Sequence, residues 1–327
     1  MGAAQAIRKA APVTAVRRWP VHPAPTPGEA LSSWLRRIAV RYEVHIEDLV
    51  VDLGFWPGKA ADLDTFPPER FAQELSTRTG VDAQRIRRMS LSGWSPWLLD
   101  RAEPDPGTFA KYTRQFSVLL PAEIRWPREI YPWMPWCPTR PAVRACPHCI
   151  ATTAPPHPYE LLWLLPLTLS CPIHGCLLEM WTKSASYFGG WERRPPTPRP
   201  VPATLLAMDT RTWQAMATGR AQLLSQQVAA GTWFRLMRTI IDELGAPLTE
   251  CRTANRMIMW IWKHAGHSGR VGPLKWQPHE GYSIDSQLRT LEATATAIQL
   301  LESDALTGRG ADTVFFRPAT ATDSGWP

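Results

Sequence analysis

The sequence predicts a mainly α protein with an N-terminal helix-turn-helix region, a small central zinc-binding unit and a C-terminal helical domain. Three observations lead there. Leu31, Trp34, Leu35 and Ile38 recur at the i, i+3, i+4, i+7 spacing of an amphipathic helix. Cys146-Pro147-His148-Cys149 and Cys171-Pro172-Ile173-His174 form two close pairs 21 residues apart, the spacing of a metal knuckle. Beyond residue 203 the pattern again reads as helices.

Composition bounds the rest. A chain of 327 residues has room for two compact units at about 150 residues per domain. Hydrophobic residues at 44% exclude wholesale disorder, and 33 prolines exclude a long coiled coil. The longest apolar run, Leu161 to Leu169, is interrupted by Pro166 and falls far short of the roughly 20 residues of a membrane span. No signal peptide is visible, so a cytoplasmic protein is expected. The net charge of +7 suits a polyanion partner. Its surplus is N-terminal, with 20 Lys+Arg against 15 Asp+Glu over residues 1–145.

In chain order, residues 1–28 read as a disordered basic arm, acid-free and rich in proline. Residues 29–145 form the helix-turn-helix region, with helices expected at 31–39, 45–53, 69–79 and 82–91 and proline-rich loops thereafter. The zinc unit follows at 146–190. Residues 191–202 are a linker, because five of the twelve are proline. Helices at 203–219, 221–245, 250–265 and 286–303 make up a C-terminal domain over 203–305, and 306–327 is expected as a flexible tail.

Cys146, Cys149, Cys171 and His174 are the expected ligands of one structural zinc ion. Two tight turns brought together by a loop make a tetrahedral shell, and four protein donors leave no open position for catalysis. His148 and Cys176 lie close enough in sequence to compete as ligands.

A helix-turn-helix needs a small residue, a turn residue four later and apolar plugs, because two short helices must cross closely. Ser76, Gly80, Val81 and Ile86 fit that pattern, with Asp82 as a helix cap. The second helix would expose Gln84, Arg85, Arg87 and Arg88, residue types that read base edges or hold phosphates. An earlier copy, Ile38 to Val44 and then Leu49, has Glu43 at the turn and Glu47, Asp48 and Asp52 on its second helix, which suits protein packing better than DNA.

Enzyme readings fare worse. Gly54 to Lys59 resembles a phosphate-binding loop but is one residue short, lacks the following Ser/Thr and contains Pro57. His45 and Glu47 with Cys146 and Cys149 would suit a zinc deaminase or hydrolase, but the pieces stand about a hundred residues apart. The tryptophan clusters, Trp94 with Trp97, Trp126 with Trp133 and Trp136, and Trp260 with Trp262, suit packing better than base stacking.

Taken together, the run from Pro25 to Ala39, then Cys146-Pro147-His148-Cys149-Ile150, then Trp163 ahead of Cys171-Pro172-Ile173-His174-Gly175-Cys176-Leu177-Leu178 resembles the TniQ family, over about residues 20–180. The resemblance implies a non-enzymatic accessory protein of DNA transposition. Such a protein selects the target site by binding DNA or a guide-RNA effector complex and recruits an AAA+ regulator, which brings the transposase; a homodimer is compatible with it. Many members carry a further Cys pair after the Cys-x-x-His, and here Leu177 to Trp181 holds none. A helix-turn-helix transcriptional regulator containing zinc is the alternative.

Overall fold

The computed structural model describes residues 18–55, 63–103, 105–138, 143–181, 196–271 and 276–318. Most of the expected arm (1–17), the phosphate-loop-like run from Trp56, the end of the zinc unit (182–190), the start of the linker (191–195) and the end of the tail (319–327) lie outside them. The fold is mainly α, with eleven α-helices and three two-stranded antiparallel ribbons among the described residues.

Helices α1 (Leu31–Tyr42), α2 (Ile46–Asp52), α3 (Phe71–Thr79) and α4 (Ala83–Arg87) surround a first core. The helical stripe of α1 places Leu31, Trp34, Leu35 and Ile38 against Leu49, Val50, Phe71, Leu75 and Ile86. Full burial of each such side chain contributes about 1.5–3 kcal/mol. The N-terminus of α2 is closed by a reciprocal pair in which His45 caps Asp48 and Asp48 accepts the His45 N–H at 2.9 Å. Residues of the expected arm are fastened here: Trp34 Nε1 donates to the Pro23 carbonyl at 2.7 Å, and Trp19 Nε1 to Asp52 at 3.1 Å.

A larger second core begins at Leu91. It gathers Leu98, Leu119 and Trp136 together with residues of α7 (Ala203–Thr218), α8 (Ala230–Gly245), α10 (Asn255–His264) and α11 (Ile284–Glu302). This core crosses the boundaries drawn in the sequence, because Leu91 to Trp136 pack with residues 205–316. Helix α5 (Thr108–Thr113), in a stretch read as loop, packs Phe109 and Tyr112 against Trp133. Buried carboxylates bind the loop segments to the helices. Glu243 of α8 accepts the Val118 and Leu119 N–H groups at 3.1 and 2.6 Å. Glu280 accepts the Trp136 N–H at 2.8 Å and pairs with Arg238.

Two expected helices differ. The segment expected to be helical from 221 first forms a hairpin, β5 (Arg220–Gln222) and β6 (Gln227–Ala229), which precedes α8. Ala221 and Val228 point inward and their neighbours outward, the period of a strand. The helix expected over 250–265 is divided into α9 (Leu248–Cys251), a short 3₁₀ turn and α10, because Arg252 takes a positive φ of 42°, outside the helical region. Residues 306–318, part of the expected flexible tail, pack against the core. Phe316 is fully buried, Gly310 N–H donates to Val118 O at 2.9 Å, and Thr313 Oγ1 to the same oxygen at 2.6 Å. The physical reason is an apolar Phe following a turn that satisfies the free edge of 117–119.

Candidate metal centre

The four expected ligands come together at the junction of two short ribbons. β1 (Arg144–Ala145) pairs with β4 (Glu179–Met180), and β2 (Ser170–Cys171) with β3 (Cys176–Leu177). Cys146 leaves β1 as the N-cap of α6 (Pro147–Ala151), and its sulfur accepts the Cys149 N–H at 3.5 Å. Pro147 suits the first helical position, where an N–H would find no partner anyway. Across the site, Gly175 closes the turn between β2 and β3. It donates to Cys171 O at 2.8 Å with φ +60°, a conformation that strains residues with a side chain. Each Cys-Pro-x-ligand run thus folds locally into a turn that points both donors the same way.

Cys146 Sγ, Cys149 Sγ, Cys171 Sγ and a nitrogen of His174 all lie within 4.8 Å of one another. His174 Nδ1 is 3.4, 3.3 and 3.5 Å from the sulfurs of Cys146, Cys149 and Cys171, and the Cys149 and Cys171 sulfurs are 3.8 Å apart. With metal bonds of about 2.3 Å to sulfur and about 2.0 Å to nitrogen, a regular tetrahedron has edges of about 3.8 Å between sulfurs and about 3.5 Å from sulfur to nitrogen. The donor set therefore fits one metal ion. Cys146 and Cys171 are buried, Cys149 is half-buried and His174 is exposed, so the site lies at the edge of its small core.

The protonation chemistry agrees. Hydrogen bonds from Cys149 and then Cys171 push the Cys146 thiol far down, while the same bond to Cys146 pushes Cys149 far up. Hydrogen bonding to Cys146 also raises Cys171, to about 11. Without a cation the cluster can hold one thiolate only by keeping its neighbours protonated; a bound ion removes that conflict. Cys176 and His148 stay outside the four-donor group. The Cys176 sulfur is 3.6 Å from that of Cys146, and the His148 ring stands 5.2 Å from the His174 ring. Neither His45 nor Glu47 joins the group, so the deaminase constellation is not assembled among the described residues.

Two buried charges that the sequence reading passed over anchor the site. Asp209 of α7 accepts from Leu169 N–H at 3.1 Å and from Ser170 N–H and Oγ at 2.8 and 2.6 Å, holding β2 against the helical core. Burial pushes its carboxyl up to about 7. Arg144, just before Cys146, donates to Leu165 O, and burial lowers it to about 10. The available signal for Asp209 was an acid on the apolar face of α7, beside Leu205, Met208 and Thr212. On the other side the unit joins α1: Ala30 N–H donates to Tyr159 O at 2.7 Å, and Leu161 N–H to Gly28 O at 2.9 Å.

The expected DNA-contact residues lie elsewhere, on the first core. Gly80 adopts φ +77° between α3 and α4, Leu75 and Ile86 are fully buried, and Asp82 caps α4 by accepting the Arg85 N–H at 2.9 Å. Gln84, Arg85, Arg87 and Arg88 are exposed. Arg85 spends Nη2 on the Pro25 carbonyl, and Arg87 donates to Gln84 Oε1 at 3.3 Å. α4 has five residues where an extension to 91 was expected. It stops because the chain turns at Arg88–Ser90, where the Ser90 hydroxyl donates to Arg87 O and Trp94 Nε1 to Arg88 O.

The TniQ family model matches residues 20–178, and this stretch of the chain is a TniQ domain. The match takes in the first core, the front of the second and the four metal donors. No curated protein and no solved structure matches the chain.

Proposed function

We propose that this TniQ-domain chain is a non-enzymatic accessory protein of DNA transposition that selects the target site. It would do so by binding DNA or a guide-RNA effector complex, and would recruit an AAA+ regulator and through it the transposase. The TniQ match over residues 20–178 carries the reading. In this reading Cys146, Cys149, Cys171 and His174 hold one structural zinc ion. Four protein donors fill a tetrahedral shell, so the ion organises the fold and offers no position to activate water. Its placement supports that role, because the centre ties α1 of the first core to α7 of the second through Tyr159 and Asp209. Gln84, Arg85 and Arg87 on α4 and Arg88 at its C-cap are the proposed DNA contacts. No described helix is long and apolar enough to cross a membrane.

The test is a transposition assay combining the chain with the AAA+ regulator and transposase of its own element. Insertion at one preferred site should require the chain. Site preference that is unchanged without it would overturn the reading.

A further inference from the structure

We infer that the outer face of α10, in the part of the chain beyond the TniQ match, holds the backbone phosphates of duplex DNA. The inference rests on the proposed function and adds a second contact surface to it. Between Glu250 and Glu280 the sequence contains no acid, yet it holds Arg252, Arg256, Lys263, Arg270 and Lys275. Arg270 is buried and donates to Ala246 O, so it serves the fold. Arg252, Arg256 and Lys263 are exposed, and none forms an ion pair with a carboxylate among the described residues. That separates them from Arg37, Arg78, Arg101, Arg199, Arg211 and Arg235, each of which faces an acid.

Arg256 and Lys263 are seven residues apart, two turns of α10, and so share one face about 10 Å apart along the axis. Arg309, exposed, adds a further cation at the same end by donating to Thr253 Oγ1 at 2.6 Å. The helix dipole favours Lys263, in the last turn of α10, but it does not account for the cations at the other end. Arg252 and Arg256 stand at the N-terminal end of α10, where the helix dipole disfavours cations and no acid occupies the first turn. Two cations on one helix face without an acid partner among the described residues are complementary to neighbouring phosphates. The aromatic group on this face, Trp260, is half-buried and its ring lies 3.8 Å from that of His264. It offers no free platform for an unstacked base, which favours a duplex over a single strand.

The test is an anisotropy titration of the full chain with labelled mixed-sequence duplex DNA, and with the single strand, at several salt concentrations. Arg256→Gln/Lys263→Gln is compared with wild type, its fold checked by circular dichroism and its metal content by elemental analysis. Loss of two phosphate contacts should reduce the slope of log K against log salt by about two for the duplex. An unchanged slope, a change confined to the single strand, or a wild type that binds no duplex at low salt would each overturn the inference. If the variant chain still directs site-selected insertion while the wild-type slope is unaffected by the substitutions, the α10 surface alone is refuted and the transposition reading stands.

Discussion

The metal unit and the helical core beside it solve the same problem by opposite means. The unit has two-residue strands, a five-residue helix and a small core around Tyr159, Trp163 and Trp181. Elements this short offset little of the ordering entropy of their own backbone, and in the proposed reading cross-linking of two turns by an ion supplies the difference. The second core has helices of 16 and 19 residues and fully buries Trp233, Phe234 and Trp262. Its stability is spread over many contacts, and its buried carboxylates Glu243 and Glu280 are bound to backbone amides and arginines. In that reading one region depends all-or-none on a ligand, whereas the other yields by degrees.

The largest expected effect is on the metal side. Cys149→Ser removes a donor from the proposed centre, and a structural ion supplies on the order of 10–16 kcal/mol in small units. Hydrogen exchange should show amides of 143–181 losing protection while α8 and α11 keep theirs. Simultaneous loss in all three would abolish the distinction between the regions. Next comes Glu280→Ala, which strands Arg238 in the second core and should cost about 3–5 kcal/mol in chemical denaturation. Here the folded metal unit should persist, with one equivalent of ion retained.

Asp209 links the two regions, and its effect depends on pH. Its folded pKa is raised by burial to about 7, above the ordinary carboxylate value of 3.8. The folded state thus binds the proton more tightly, so this group's contribution is full below about pH 4 and is lost as pH rises through 7. Glu243, also raised by burial to about 7, acts in the same direction. Asp209→Asn should therefore flatten the fall in stability between pH 4 and 7 relative to wild type, measured as the difference between the two metal-loaded proteins. A steeper fall in the variant would contradict the assigned direction. The smallest effect belongs to Ser283→Ala at the start of α11, where the hydroxyl accepts the Ser286 N–H at 3.4 Å. Loss of such a cap costs about 1 kcal/mol, read as a small drop in Tm with the metal content unchanged.

Legibility followed the range of the interactions. α1, α3, α7 and α11 could be read because their stripes of buried residues repeat every three or four positions. The metal donors could be read because each pair is set by a turn of four residues. The β5–β6 hairpin was missed although Ala221 and Val228 alternate with exposed neighbours, since three residues of alternation are too few to compete with an adjoining sixteen-residue helix. α4 ended early because the Ser90 hydroxyl and Trp94 Nε1 bind the Arg87 and Arg88 carbonyls in a turn that helical periodicity does not encode.

By itself the sequence determined the helical class, the four donors and their turns, and the exposure of Gln84, Arg85, Arg87 and Arg88, because periodicity and turn chemistry act over a few residues. Only the tertiary structure decided that Leu91 to Trp136 pack with α8 and α11, that Phe316 closes the core, and that Asp209 of α7 holds β2 of the metal unit. Each of those depends on groups 39 or more residues apart in the chain, such as Asp209 with Ser170 or Glu243 with Leu119. The burial of a charge becomes acceptable only where the fold brings its distant partners to it.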